Sequence, residues 1–127
     1  QAYMVKGDPE EAQRYLAKAS QLDPNDVAKR TTLAISQLAG GETGEALASL
    51  QRLADSDTGI TADLALINAS LRLRKVDDAL RAIDALEKKR ANDPLPAHLR
   101  GRALMQRQDM AGARRAFEKA LSIDPAY

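Results

Sequence analysis

The sequence predicts an all-α fold, a right-handed α-solenoid of about 3.5 stacked helical hairpins. An alanine marks the same point in each hairpin, at Ala12, Ala46, Ala79 and Ala113, with intervals of 34, 33 and 34 residues. A period of about 34 belongs to helix-turn-helix arrays. Behind each marker stands an apolar residue four positions on and an apolar or small one seven on: Leu16 and Ala19, Leu50 and Leu53, Ile83 and Leu86, Phe117 and Ala120. Those steps place the side chains on one stripe of a helix, so the repeated phrase is a packing surface. The composition agrees, since aromatics make up 3% of the 127 residues and no window alternates like a β-strand.

The elements follow in order. Asp8 reads as an N-cap with Pro9 at the first helical position and Glu11 completing a capping-box-like pair, which predicts a helix over Pro9 to Leu22, closed by Asp23-Pro24-Asn25. The next helix is predicted from Asp26 to Ala39, with Leu33, Ala34 and Leu38 inward. Gly40-Gly41-Glu42-Thr43-Gly44 makes the turn, and the partner helix runs to Ala54. After a loop at Asp55-Ser56-Asp57-Thr58-Gly59, the first helix of copy three holds Leu64, Ile67, Leu71 and Leu73, and its partner spans Asp77 to Arg90. The link Ala91-Asn92-Asp93-Pro94-Leu95-Pro96 reads as longer than its counterparts and is expected to alter the local stacking angle. The last hairpin pairs Leu95–Arg107 with Met110–Ser122. Seven helices are therefore expected, in a single domain over 1–127 with repeats at about 1–24, 25–58, 59–93 and 94–127.

The phase of the repeat implies a fragment of a longer array. A complete leading helix starts about 19 residues before its marker, and 11 residues precede Ala12. Truncated ends should leave apolar residues such as Met4 and Leu121 partly exposed and favour end-to-end self-association.

Charge and residue types narrow the function. The formal net charge is +1, but residues 1–71 hold 6 basic and 10 acidic side chains, whereas residues 72–127 hold 13 basic and 8 acidic. An acidic ligand would be drawn to the second half. The chain has no cysteine, which removes disulfides, thiolate metal sites and a cysteine nucleophile, and His98 is its single histidine. None of the serines has a glycine elbow or triad-like setting, and Gly40–Gly44 lacks the lysine of a phosphate loop. The sequence thus reads as non-catalytic, with no cofactor or metal. Arg72, Arg74, Lys75, Arg100, Arg102, Arg107, Arg114 and Arg115 could form a basic stripe, but one phenylalanine and three tyrosines offer little for base stacking, so no nucleic-acid partner is expected. No apolar run reaches the roughly 18 residues of a membrane span.

The small-residue pattern resembles the tetratricopeptide repeat (TPR) family. Gly101, then Ala113, Phe117, Ala120 and Pro125, match the family's spacing, and Gly7-Asp8, Ala12, Leu16, Ala19 and Pro24 follow it nearly as well. Leu33-Ala34 with Ala46 supports copy two. Copy three departs, with Ile67 where a small residue is usual. The first-helix aromatics of the family are missing: Arg30, Asp63 and Ala97 hold one position, Gln37, Ser70 and Leu104 the other. The resemblance implies a protein-interaction scaffold whose concave groove is lined by the first helix of each hairpin. Carried over position by position, the groove presents Ala28, Thr31, Ile35 and Ala39, then Thr61, Leu64, Asn68 and Arg72, then Leu95, His98, Arg102 and Gln106, with Gln1 and Val5 continuing it. Asn68, Arg72, Arg102 and Gln106 carry donors suited to carbonyls or a carboxylate. The lysine and asparagine by which some members clamp a chaperone's terminal carboxylate are not reproduced, because Thr31, Ile35 and Leu64 stand there and Asn68 alone fits.

A narrower likeness covers the second half. Ala62–Asn68, Ala82–Lys89, Asp93–Pro96 and Ala116–Leu121 resemble the TPR lipoproteins of the PEP-CTERM and exosortase system of Gram-negative bacteria that make exopolysaccharide. That likeness implies an extracytoplasmic parent, held at a membrane only through a lipid anchor outside this segment. A periplasmic TPR module of a polysaccharide export or secretion assembly, and a cytoplasmic regulatory scaffold, are the alternatives.

Overall fold

A computed structural model describes residues 26–127, and the predicted helix from Pro9 to Leu22 and the expected exposure of Met4 lie outside the described residues. Among those described there are six α-helices and no strand: α1 Val27–Ala39, α2 Thr43–Ser56, α3 Thr61–Arg72, α4 Val76–Lys89, α5 Pro94–Gln106 and α6 Met110–Ile123. The five helices with a predicted span lie within a few residues of it, and α3 holds Leu64, Ile67 and Leu71 as expected. By internal contacts the chain divides into two compact units, Gln1–Ala65 and Leu66–Tyr127.

In the first unit, Asp26 caps α1, its Oδ1 accepting from the Lys29 backbone N at 3.0 Å. α1 packs on α2. The marker Ala46 and Leu50 are fully buried, and Leu53 and Ala54 form a small cluster with Ala62 against which Val27 packs. Leu33 and Leu38 are half-buried beside the buried Ala34.

The second unit repeats the scheme. In α4 the buried set is Ala79, Ala82, Ile83 and Leu86, the i, i+3, i+4, i+7 stripe of an amphipathic helix. Each fully buried Ile or Leu contributes about 1.5–3 kcal/mol. α5 packs on α4 and on α6. Gly101 sets the closeness of the α5–α6 crossing, because a Cβ placed on it would sit 2.5 Å from Cε1 of Phe117. Ala113, the marker on α6, is buried at 3% exposure.

Among the described residues the three turns inside the hairpins close alike. Gly41, Arg74 and Gln108 have φ of 89°, 63° and 66°. Each donates its N–H to the carbonyl three residues back, and the next residue donates to the carbonyl five back: Glu42 to Gln37, Lys75 to Ser70 and Asp109 to Leu104, at 2.9, 2.8 and 2.9 Å. This is the Schellman arrangement, which satisfies carbonyls that a helix end leaves open.

Two expectations change. The link before α5 is residues 90–93, no longer than 57–60 before α3, because α5 starts at Pro94 and takes Pro94 and Pro96 into its first turn, with Asp93 as N-cap accepting from Leu95 N at 2.9 Å. A first turn needs no N–H partner, so prolines fit there. Leu73 lies beyond the end of α3 and is 38% exposed, because the turn has already carried the chain off the buried stripe.

A charged clasp joins three helices of this unit. Arg100 Nη2 on α5 reaches Asp84 Oδ1 at 2.7 Å and Glu87 Oε1 at 3.3 Å on α4, and Lys119 Nζ on α6 reaches Glu87 Oε2 at 3.1 Å. Arg107 pairs with Asp77 beside it. Hydrogen bonds from Arg100 and then Lys119 hold the Glu87 carboxyl below the usual carboxylate range, outweighing its desolvation. Burial works against the Arg100 charge, but its bonds to Asp84 and Glu87 more than offset this and raise its pKa.

Candidate partner-binding site

The predicted groove residues fall into different environments. In the first unit Thr31 is buried at 3% exposure, three residues before the buried Ala34 on the same stripe, and so presents nothing to solvent; among the described residues its hydroxyl has no hydrogen-bond partner. Ile35 is exposed at 46% and Leu64 is half-buried. In the second unit Asn68, Arg72 and Arg102 are exposed, while His98 and Gln106 are half-buried.

One contact organises the polar residues of the second unit. Gln106 Nε2, in the last turn of α5, donates to the Leu71 carbonyl in the last turn of α3 at 3.0 Å. Arg72 follows Leu71 in the chain, and Arg102 stands one helical turn before Gln106. The bond therefore draws the two guanidinium-bearing segments together. Among the described residues neither Arg72 nor Arg102 is engaged in an ion pair, which leaves two planar donor forks available for a carboxylate. Gln106 itself differs from expectation: its amide N–H is used inside the fold, and its Oε1 is buried without a partner.

His98 is a packing residue. Its ring lies 5.5 Å from that of Phe117, tilted at 55°, and 5.4 Å from that of Tyr127, edge-on at 73°. Desolvation, then the negative charges of Asp93 and Asp124, raise the Tyr127 pKa. The sequence reading missed this stack, although the four-residue step from Ala113 to Phe117 placed that ring on the buried stripe. Among the described residues no group of three His, Cys, Asp or Glu side chains is disposed to hold a metal ion, and no helix is long and apolar enough to cross a membrane. The arrangement can present charge and hydrogen bonds to another chain.

Sequence models described as "Tetratricopeptide repeat" match residues 4–63 and 94–127. No curated protein matches the chain. Among solved structures, one of MamA is 24% identical, with 99% of this chain and 74% of that chain covered at a TM-score of 0.72. Residues 41 to the end of MamA from Desulfovibrio magneticus RS-1 are 22% identical, with 100% and 72% covered at 0.72. A tetratricopeptide repeat protein from Parabacteroides merdae ATCC 43184 is 24% identical, with 99% and 51% covered at 0.75. At these identities the likeness is one of fold.

Proposed function

Because the chain belongs to the tetratricopeptide repeat family, we propose that this protein-interaction scaffold captures an extended or helical segment carrying an acidic group, through Arg72 and Arg102 with Asn68 beside them. The TPR fold is a non-catalytic scaffold, so function resides in what its surfaces hold. The observation that carries the reading is the Gln106–Leu71 bond, which draws the two exposed arginine-bearing segments together. The basic balance of residues 72–127 supports it, since it favours approach of an acidic segment.

The test uses labelled peptides rich in glutamate and matched peptides with glutamine in their place, followed by fluorescence anisotropy. The glutamate peptides should bind more tightly, with affinity falling as salt rises. Arg72→Ala with Arg102→Ala should leave helicity unchanged and weaken binding at least about tenfold, or 1.4 kcal/mol. Equal binding by the double variant rejects these residues as the site.

The likeness of Ala82–Lys89 and Ala116–Leu121 to TPR lipoproteins of the PEP-CTERM system supports placing the parent protein outside the cytoplasm, lipid-anchored, in exopolysaccharide production or protein sorting. A lipidation cysteine in the parent gene, and recovery of the parent in the membrane fraction, would support this; recovery in the cytosol would favour a regulatory scaffold there. End-to-end self-association belongs to the same reading, supported by Leu121, which is 48% exposed.

A further inference from the structure

Among the described residues three turns share one backbone and differ in what they carry. Ala39-Gly40-Gly41-Glu42 and Gln106-Arg107-Gln108-Asp109 hold at most one cation each, whereas Arg72-Leu73-Arg74-Lys75 holds three. The fold asks for no cation at the third place, since the turn closes equally around Gly41 and Gln108. Arg74 has φ of 63°, which strains a residue with a Cβ and which glycine adopts freely. Lys75 is the N-cap of α4 with φ of −94° and ψ of 71°, close to the −86° and 80° of Asp109 at the start of α6. Asp109 Oδ1 accepts from Gly112 N at 2.9 Å, but the lysine brings no acceptor and sets its charge against the positive end of the helix dipole. Two adjacent cations thus stand where each lowers stability, and such local conflicts gather at functional sites.

These charges are also unengaged. Arg72, Arg74, Lys75 and Arg102 are exposed, and among the described residues none of them is in an ion pair. The nearby acids are committed: Asp77 to Arg107, Asp78 to Arg81, and Asp109 to the first turn of α6. The Leu71 carbonyl accepts from both Gln106 Nε2 and the Arg74 N–H, so the turn and the last turn of α5 meet at one atom.

Given the site proposed above, on which this rests, we infer that the α3–α4 turn extends it and that the partner carries a run of acidic side chains. The first is taken by Arg72 and Arg102, and the next by Arg74 and Lys75. A single carboxylate is satisfied by one guanidinium fork and would leave the other cations without a counter-charge. The Asn68 amide, one helical turn before Arg72, both donates and accepts as a peptide backbone requires, which favours a protein segment over an anionic lipid surface.

Two labelled peptides of equal length, one with a single glutamate and one with a run of glutamates, test this by fluorescence anisotropy. The run should bind the parent more tightly. Arg74→Gly with Lys75→Ser should weaken its binding at least about tenfold, while the single-glutamate peptide changes far less. The same two changes should raise the urea midpoint, because glycine relieves the turn and serine caps α4. A purely structural role would move stability and binding together, and here they part. Affinity for the run unmoved by this pair overturns the extension, and the proposed site still stands if Arg72→Ala with Arg102→Ala weakens binding. Failure of both peptides to bind the parent overturns both. Attachment to phosphatidylserine vesicles that the pair abolishes, with peptide binding unmoved, overturns the protein partner in favour of a membrane surface.

Discussion

Gln106 and Leu71 are 35 residues apart in sequence and 3.0 Å apart in space, joined by a side-chain amide donating to a backbone carbonyl. The same carbonyl accepts the Arg74 N–H at 3.1 Å, so one oxygen both closes the turn after α3 and ties that helix end to α5. The bond fixes where the Arg72 backbone stands.

Gln106→Ala should therefore lower stability by about 1 kcal/mol, the usual net value of an internal hydrogen bond. Arg102→Ala, on the exposed side of the same helix, should change it by less than about 0.5 kcal/mol. Urea unfolding followed by helical circular dichroism separates the two. Equal effects would mean that the amide bond does not organise this end of the unit.

Gly101→Ala should be costlier than its size suggests. The added methyl meets the Phe117 ring at 2.5 Å, and overpacking of this kind costs about 1–3 kcal/mol. Adding Phe117→Leu removes the ring and should recover part of the loss. Ala113→Leu, at a buried marker, should cost a similar amount. A neutral Gly101→Ala would show that the helices separate freely at this crossing.

Arg74 and Gln108 hold left-handed backbone that Gly41 holds without a Cβ penalty. Replacing either by glycine should stabilise by up to about 1 kcal/mol, since the left-handed conformation costs an L residue roughly 1–2 kcal/mol and glycine's extra chain entropy returns about half of that. Gly41→Arg should destabilise. Thermal midpoints of the three single variants test both signs.

The Glu87 carboxyl, lowered chiefly by hydrogen bonds from Arg100 and Lys119, links stability to pH. A carboxylate whose folded pKa is depressed contributes stability that is fully present above its unfolded pKa, about 4.3, and is lost as pH falls through the folded value. Urea midpoints from about pH 7 downward should thus fall more steeply below about pH 4 in the parent than in Glu87→Gln. Parallel profiles would remove the clasp as a source of acid sensitivity.

The helices were legible because their signal is periodic. A marker alanine with apolar partners four and seven residues on can be satisfied only by one helical face, and Ala46, Ala79 and Ala113 are buried as that requires. What escaped were relations with no period. The Gln106 donor looked available because nothing in the sequence links it to a carbonyl 35 residues earlier. The link before α5 read as long because Pro94 follows its marker Ala79 by 15 residues where Pro24 and Pro125 follow theirs by 12, but that proline opens the next helix instead of closing the last. Thr31 was assigned to the groove by position, but it lies on the stripe of Ala34 and is buried with it.

The Schellman turns among the described residues are closed by main-chain hydrogen bonds, around a glycine, an arginine and a glutamine in turn. A joint of that kind carries no side-chain identity that must be inherited with it. Gene duplication can then insert, delete or shuffle whole hairpins while point mutation rewrites the turns, and the reading frame of the packing stripe survives both. Sequence similarity between copies can decay to a few alanines, as it has here, without the architecture losing its register.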